Sequence, residues 1–126
     1  MDRYDLLERI KQRRKQVGIT VDDLAIVSNL GYRTVTRFFA GDDIMLSSIE
    51  KLTNTLGLDF AGNEVIDIQA LKDKRATEKA LYIVSLVQDT SSLENQGLNE
   101  EQINQLLSET KEKFLTGEYK KYLWKQ

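Results

Sequence analysis

Residues 20–41 have the sequence TVDDLAIVSNLGYRTVTRFFAG, and this stretch decides the fold of the first half of the chain. It predicts two short amphipathic helices joined by a tight turn. Ala25, on the first of these helices, is small enough to let the two helices cross closely. Asn29 lies at the turn, where it tolerates the positive φ that a sharp change of direction requires. Apolar residues follow at core spacing, at Leu30, Val35 and Phe38. The stretch therefore predicts a helix, a turn and a second helix that share one core.

The segments around this stretch predict further helices. Apolar residues at helical spacing indicate a first helix over residues 3–16, which ends before Gly18. Thr20 is the expected N-cap of the second helix, and the third helix is expected over residues 32–40. Ser47 is the expected N-cap of a fourth. Together these helices predict a compact helical domain.

The second half of the chain predicts a separate helical region. EVIDI, at residues 64–68, fits either a short strand or the approach to a helix, because its period cannot be decided at this length. The expected elements after it are a long helix over residues 69–89, a turn-rich interruption TSSLENQG at residues 90–97, and a helix from the cap pair Asn99 and Gln102 to Leu115. The fold class is therefore all-α, with domains at residues 1–60 and 61–126.

Composition excludes several classes of function. The chain of 126 residues has no cysteine and no histidine, which removes disulfides, thiol catalysis, Cys/His zinc sites and a histidine general base. No nucleotide-binding or hydrolase motif occurs, so we expect neither an enzyme nor a cofactor. No apolar run is long enough for a membrane span, and no secretory signal is visible. We expect a cytoplasmic protein, associated with the nucleoid if it binds DNA.

The predicted third helix has one apolar face and one basic face. Arg33, Thr36 and Arg37 lie away from the apolar side, and Tyr32 and Thr34 flank them near the start of the helix. Arginine can contact guanine through two hydrogen bonds, and threonine can contact a phosphate, a base edge or a thymine methyl. These residues predict a helix-turn-helix that reads the DNA major groove. The alternative is an ordinary amphipathic helix whose polar face is only solvated.

A second set of residues is expected to contact the DNA backbone. Lys11 and Arg14 belong to the basic run RIKQRRK on the first helix, which either binds phosphates or only solubilises the surface. Thr20 and Thr34 lie at helix starts, where backbone N–H groups favour an anion. The formal net charge of −2 neither supports nor excludes DNA as a partner.

From Leu6 to Leu58 the chain resembles the Xre/lambda-repressor-like (Cro/CI-type) helix-turn-helix family. The residues that carry the resemblance are Arg14, Gly18, Thr20, Leu24-Ala25, Asn29-Leu30, Val35, Gly41, Ile49, Leu52 and Leu56-Gly57. By position, the resemblance implies base reading by Tyr32, Arg33, Thr36 and Arg37. The chain departs from the pattern at Val21, where family members often have a phosphate-binding Gln, at Gly31 in place of a Ser cap, and at Phe39 in place of a frequent Glu. The usual Pro before the fourth helix is also missing. The C-terminal half resembles no family.

The C-terminal tail contains Tyr119, Tyr122 and Trp124, which are expected in a dimer or partner contact because aromatic residues are enriched at interfaces. The resulting hypothesis is a homodimeric, sequence-specific DNA-binding repressor that reads a palindromic operator. One alternative is an antitoxin-type protein whose C-terminal half binds a partner protein and whose helix-turn-helix autoregulates its operon. Another is a sensor with a small-molecule pocket between the C-terminal helices.

Overall fold

The computed structural model describes residues 2–93 and 98–126, and over these ranges the protein is all-α, as predicted. The helices are α1 (Arg3–Val17), α2 (Val21–Val27), α3 (Tyr32–Phe39), α4 (Leu46–Thr55), α5 (Ile68–Leu93) and α6 (Glu100–Leu115), and a 3-10 turn covers Lys120–Tyr122. Between α4 and α5 the described chain forms one isolated bridge, in which Leu58 pairs with Glu64. The EVIDI segment is therefore not a regular strand, and of its residues only the last one, Ile68, belongs to a helix.

Several helices begin where local side chains satisfy the first backbone N–H groups. Thr20 caps α2 by accepting a hydrogen bond from the backbone N–H of Asp23, at 3.1 Å. Asn99 and Gln102 form a reciprocal capping box at the start of α6, which confirms the predicted pair. These contacts span only three residues, so the sequence alone is sufficient to predict them.

Other boundaries differ from the prediction. Helix α4 begins at Leu46 after Met45, so Ser47 lies within its first turn and does not cap it. Met45 takes the N-cap position without a side-chain hydrogen bond, and Met45 and Leu46 are both exposed, so water can satisfy the first N–H groups of the helix. Helix α3 ends at Phe39, one residue early. Helix α5 continues to Leu93, so the first part of the predicted interruption is helical, and residues 94–97 lie outside the described residues.

The turn between α2 and α3 has the backbone geometry that Asn29 predicts. Asn29 has φ of 57°, which lies in the left-handed region. Among the described residues, no other residue except glycine has a positive φ. The backbone N–H of Leu30 donates to the carbonyl of Ala25 at 2.9 Å, which closes the end of α2. The left-handed residue reverses the chain so that α3 can pack its apolar side next to α2.

The chain divides into two compact units. The N-terminal unit contains the residues up to Leu71 together with Trp124–Gln126, and the C-terminal unit contains Lys72–Leu123. The N-terminal unit therefore extends past the expected boundary at residue 60. Its core is formed by side chains from α1 to α4 and the segments next to them: Leu7, Ile10, Val17, Ile19, Leu24, Ala25, Val35, Phe38, Ile49, Leu52, Leu56 and Leu58.

The core of the C-terminal unit is smaller. Helical spacing predicts a buried stripe on α5 of Ala76, Ala80, Ile83, Val84 and Val87. Ala76, Ala80 and Val84 are buried and Ile83 is half-buried, but Val87 is 38% exposed. On α6, only Thr110 and Phe114 are fully buried, and the rest of the predicted apolar side is half-buried. Over the described ranges, no helix combines the length and the apolar character needed to cross a membrane.

Candidate nucleic-acid interface

Helix α3 separates apolar and basic side chains on its two sides. Val35 and Phe38 are buried in the core of the N-terminal unit and fix the rotation of the helix about its axis. Arg33 and Arg37 are exposed on the other side, and the exposed Tyr32 flanks them at the start of the helix. Helix α3 itself contains no acidic residue, so the charged groups that it contributes to this exposed side are both positive.

The two arginines of this side differ in their contacts. The side chain of Arg33 makes no hydrogen bond or ion pair with the part of the chain that the structure describes, so its guanidinium is available to a ligand. Arg37 lies near Asp42, with 3.5 Å between Nε and Oδ2, and both side chains are about 60% exposed (60% and 59%). A pair this exposed contributes little stability, and a guanine or phosphate could replace the carboxylate.

Thr36 is less accessible than predicted. Its hydroxyl donates to the backbone carbonyl of Arg33 at 3.0 Å, and its side chain is half-buried. The oxygen keeps its acceptor capacity, and the methyl group is the other part available to a base. Thr36 therefore suits a base contact at the edge of the exposed side of α3 rather than at its centre.

The start of α3 leaves backbone donors without a side-chain cap. Gly31 occupies the N-cap position, where it can make no side-chain hydrogen bond, as the sequence indicates. The first N–H groups of a helix point toward an incoming anion, and the helix dipole adds to the attraction. Thr34 is half-buried beside this turn and can add a hydroxyl. The arrangement favours a phosphate group at this end of the helix.

The residues predicted to contact the DNA backbone are not equivalent in the structure. Lys11 is partly exposed, and its Nζ lies 3.8 Å from Glu8 Oε1, which is a loose contact. Thr20 is exposed and uses its oxygen as the N-cap acceptor, so its hydroxyl proton remains available to a phosphate. Both residues are accessible enough for the predicted role.

Arg14 has a structural contact that the prediction did not include. Its guanidinium donates to the backbone carbonyl of Ile19 at 2.9 Å, and its Nε is buried without a hydrogen-bond partner among the described residues. The side chain therefore spans the connection between α1 and α2, which reduces its freedom to follow a DNA backbone. Arg14 is a weaker candidate for phosphate contact than Lys11.

The loop after α3 is held by acidic residues. Asp42 faces Arg37, and the carboxylate of the next residue, Asp43, accepts a hydrogen bond from Arg3 at the start of α1. That hydrogen bond raises the pKa of Arg3 above its usual value. The loop places negative charge beside the C-terminal end of α3, so the N-terminal half of the helix is its more favourable part for DNA.

Sequence reasoning did not identify the role of Arg13 in the basic run. Arg13 is buried, its Nε donates to the carbonyl of Leu56 at 2.8 Å, and its guanidinium also reaches Glu64 and the carbonyl of Ile66. A signal was present, because Arg13 continues the apolar spacing between Ile10 and Val17. Arg13 is therefore a structural residue and is not available to DNA.

The aromatic residues of the tail are placed differently from one another. The Tyr119 ring packs against Phe114, with 5.3 Å between ring centroids, and Tyr122 is largely exposed. Trp124 is only 8% exposed and belongs to the N-terminal unit. Because its ring is covered within the same chain, Trp124 does not present the surface that the prediction of a dimer or partner contact requires.

The candidate interface was also compared with other kinds of site and with known proteins. Those residues contain no cluster of acidic side chains arranged to hold a metal ion. Comparison of the chain with models of protein families, with curated proteins and with solved structures found no match.

Proposed function

We propose that this protein is a sequence-specific regulator of transcription that binds double-stranded DNA as a homodimer and acts as a repressor. In this proposal α2 and α3 act as a helix-turn-helix, and α3 enters the major groove. Base contacts come from Tyr32, Arg33, Thr36 and Arg37. Two copies would read the two halves of a palindromic operator, with half-sites about one DNA turn apart.

One observation carries the proposal. The exposed side of α3 presents two guanidinium groups, a threonine and a tyrosine, while the side that faces the core is fully apolar. The Arg33 side chain has no hydrogen bond or ion pair within the described residues, whereas Arg37 has a carboxylate within reach. An unpaired, exposed arginine on a short helix next to a tight turn suits contact with a guanine.

Backbone contacts would fix the position of α3 in the groove. The uncapped N-terminus of α3 suits one phosphate, and Thr20 and Lys11 suit others. These contacts carry no sequence information, but they supply affinity that falls with salt. The proposal therefore separates residues that read bases from residues that bind any DNA.

Selection of bound sequences from a random DNA pool tests the proposal directly. We expect enrichment of a palindrome, which gives the half-site and the spacing in one experiment. Failure to enrich any sequence at low salt would contradict sequence-specific binding.

Arginine variants test the base-reading face. Arg33→Ala and Arg37→Ala should each weaken binding to the selected site by about 1–3 kcal/mol and relax the base preference at one position of each half-site. Binding is measured by fluorescence anisotropy on the selected site and on single-base variants of it. Lys120→Ala is the matched control, since it removes an exposed positive charge from the 3-10 turn. Equal losses for Lys120→Ala and Arg33→Ala would exclude α3 as the reading helix.

A lysine variant tests the backbone contacts. Lys11→Ala should weaken binding to all sequences by a similar factor and reduce the slope of log affinity against log salt by about one. The same anisotropy titrations at several salt concentrations measure both effects. An unchanged slope would remove Lys11 from the interface and leave base reading by α3 untouched.

A further inference from the structure

The C-terminal half of α5 exposes several large apolar side chains. Leu81, Tyr82 and Leu86 are 51%, 66% and 49% exposed, and they lie within two turns of one helix. They face away from Ala76, Ala80 and Val84, which are buried in the core of the C-terminal unit. A cluster of this kind marks a surface that contacts another macromolecule.

Charged and polar residues extend this cluster along the helix. Lys74, Glu78, Ser85 and Asp89 are exposed and fall on the same side of α5 as Tyr82, within a face about 140° wide. We define this α5 face by its exposed residues, which are Lys74, Glu78, Leu81, Tyr82, Ser85, Leu86 and Asp89. Arg75 falls within the same arc but is half-buried, and its guanidinium donates to the carbonyl of Leu123 and lies 3.9 Å from Glu78. The charge pattern of the α5 face runs from a positive end at Lys74 to a negative end at Asp89.

The α5 face is complementary to itself when two copies are antiparallel. A two-fold axis between Leu81 and Tyr82 places Lys74 opposite Asp89 of a second copy and Glu78 opposite Ser85. The same axis places Leu81 opposite Tyr82, so the apolar side chains meet at the centre. A parallel arrangement would instead place each charge opposite the same charge, which is unfavourable. The charge order thus favours a second copy as the occupant, in the antiparallel direction.

We propose that the α5 face is the homodimer interface, in which two copies of α5 pack antiparallel about a two-fold axis between Leu81 and Tyr82. This inference rests on the proposed function in one respect, since a palindromic operator requires a two-fold dimer. It assigns the dimer contact to α5 instead of to the aromatic tail. Leu81 and Tyr82 form its apolar centre, Leu86 lies at the edge of that centre, and the Lys74 and Asp89 pairs form its two ends.

Charge reversal tests the interface without any DNA. Sedimentation equilibrium over micromolar concentrations should show the wild-type protein as a dimer. Lys74→Glu and Asp89→Lys should each weaken dimerisation by about tenfold or more, because each creates two like-charge contacts. The double variant Lys74→Glu with Asp89→Lys restores opposite charges at both ends and should recover most of the loss. Circular dichroism checks that each variant keeps its helix content.

A crosslinking experiment tests the register. The chain has no cysteine, so the double variant Glu78→Cys with Ser85→Cys contains only the two introduced thiols. Two turns of helix separate these positions by about 10 Å within one chain, which is too far for a disulfide. Mild oxidation should therefore give a covalent dimer. The control Glu78→Cys with Asn104→Cys, whose second thiol lies at an exposed position of α6, should give little covalent dimer.

The outcomes separate this inference from the proposed function. A wild-type protein that is monomeric over the whole concentration range, or charge reversals without recovery in the double variant, would overturn the α5 interface. Purification as a stable complex with a different protein that covers the α5 face would also overturn it. A wild-type dimer that enriches no DNA sequence would instead contradict the proposed function and leave the α5 interface standing.

Discussion

At the scale of single residues, Arg13 shows how one side chain can join distant segments. Its guanidinium connects α1 to the carbonyls of Leu56 and Ile66 and to the carboxylate of Glu64. The Arg13 side chain is 7% exposed and that of Glu64 is 52% exposed, so the arginine is the buried member of the pair. Its planar fork of donors matches several acceptors at once, which a lysine cannot do.

We therefore expect Arg13→Ala to lower the free energy of unfolding by about 3 kcal/mol, because two backbone carbonyls lose a charged donor in a buried site. Arg13→Lys should lose most of the same amount. Urea unfolding followed by circular dichroism measures both. Arg9→Ala is the matched control, since exposed Arg9 binds Asn63 of the same loop and should cost less than about 1 kcal/mol. Equal losses at the two positions would contradict the argument.

At the scale of elements, the α2–α3 connection depends on one left-handed residue. Asn29 adopts φ of 57°, a conformation that asparagine and glycine accept more readily than other residues. The turn determines the direction of α3, and through it the presentation of Arg33 and Arg37. A change at Asn29 is thus expected to affect both stability and the proposed DNA contact, although Asn29 itself need not touch DNA.

Substitutions at Asn29 should rank by their tolerance of positive φ. Asn29→Gly should be close to neutral, Asn29→Ala should cost about 1 kcal/mol, and Asn29→Val should cost more because its branched side chain crowds the backbone. Thermal unfolding gives the ranking. If Asn29→Val were as stable as Asn29→Gly, the turn would not depend on backbone strain at this position.

At the scale of the whole molecule, the last residues of the chain belong with the first half. Trp124–Gln126 are part of the N-terminal unit, and Lys125 Nζ lies 3.2 Å from Asp23 Oδ1 on α2. The Asp23 side chain is almost fully buried, so the lysine offsets a charge that would otherwise be costly. The tail thus stabilises the unit that contains the proposed DNA-binding helices.

Trp124→Ala should consequently destabilise the N-terminal unit by about 3–5 kcal/mol, as for other large buried aromatic residues. Tyr122→Ala, at an exposed position two residues earlier, is the control and should change stability by less than about 0.5 kcal/mol. Unfolding is followed by circular dichroism in both variants. In the wild-type protein, the fluorescence of the single tryptophan should change in the same transition as the N-terminal unit. A stable Trp124→Ala variant would contradict this role for the tail.

The sequence by itself determined the features that arise within a few residues of chain. The all-α class, the N-caps at Thr20 and Asn99, the positive φ at Asn29 and the apolar side of α3 all follow from such local patterns. The same patterns selected the candidate interface residues, because the rotation of a short amphipathic helix is fixed by its own apolar positions. The exposed arginines of α3 are where this reasoning expects them.

Only the tertiary structure decided which polar and aromatic residues are buried or bound to other parts of the chain. Arg13 and Arg14 belong to one basic run, yet Arg13 is buried against segments more than 40 residues away and Arg14 holds the start of α2. Trp124 is covered through a tail whose lysine meets a carboxylate 102 residues earlier. Burial depends on which distant segments meet, and a local pattern contains no information about that. For the same physical reason, the sequence suggested an aromatic tail as the dimer contact, but Trp124 is covered within the chain, and we propose α5 in its place.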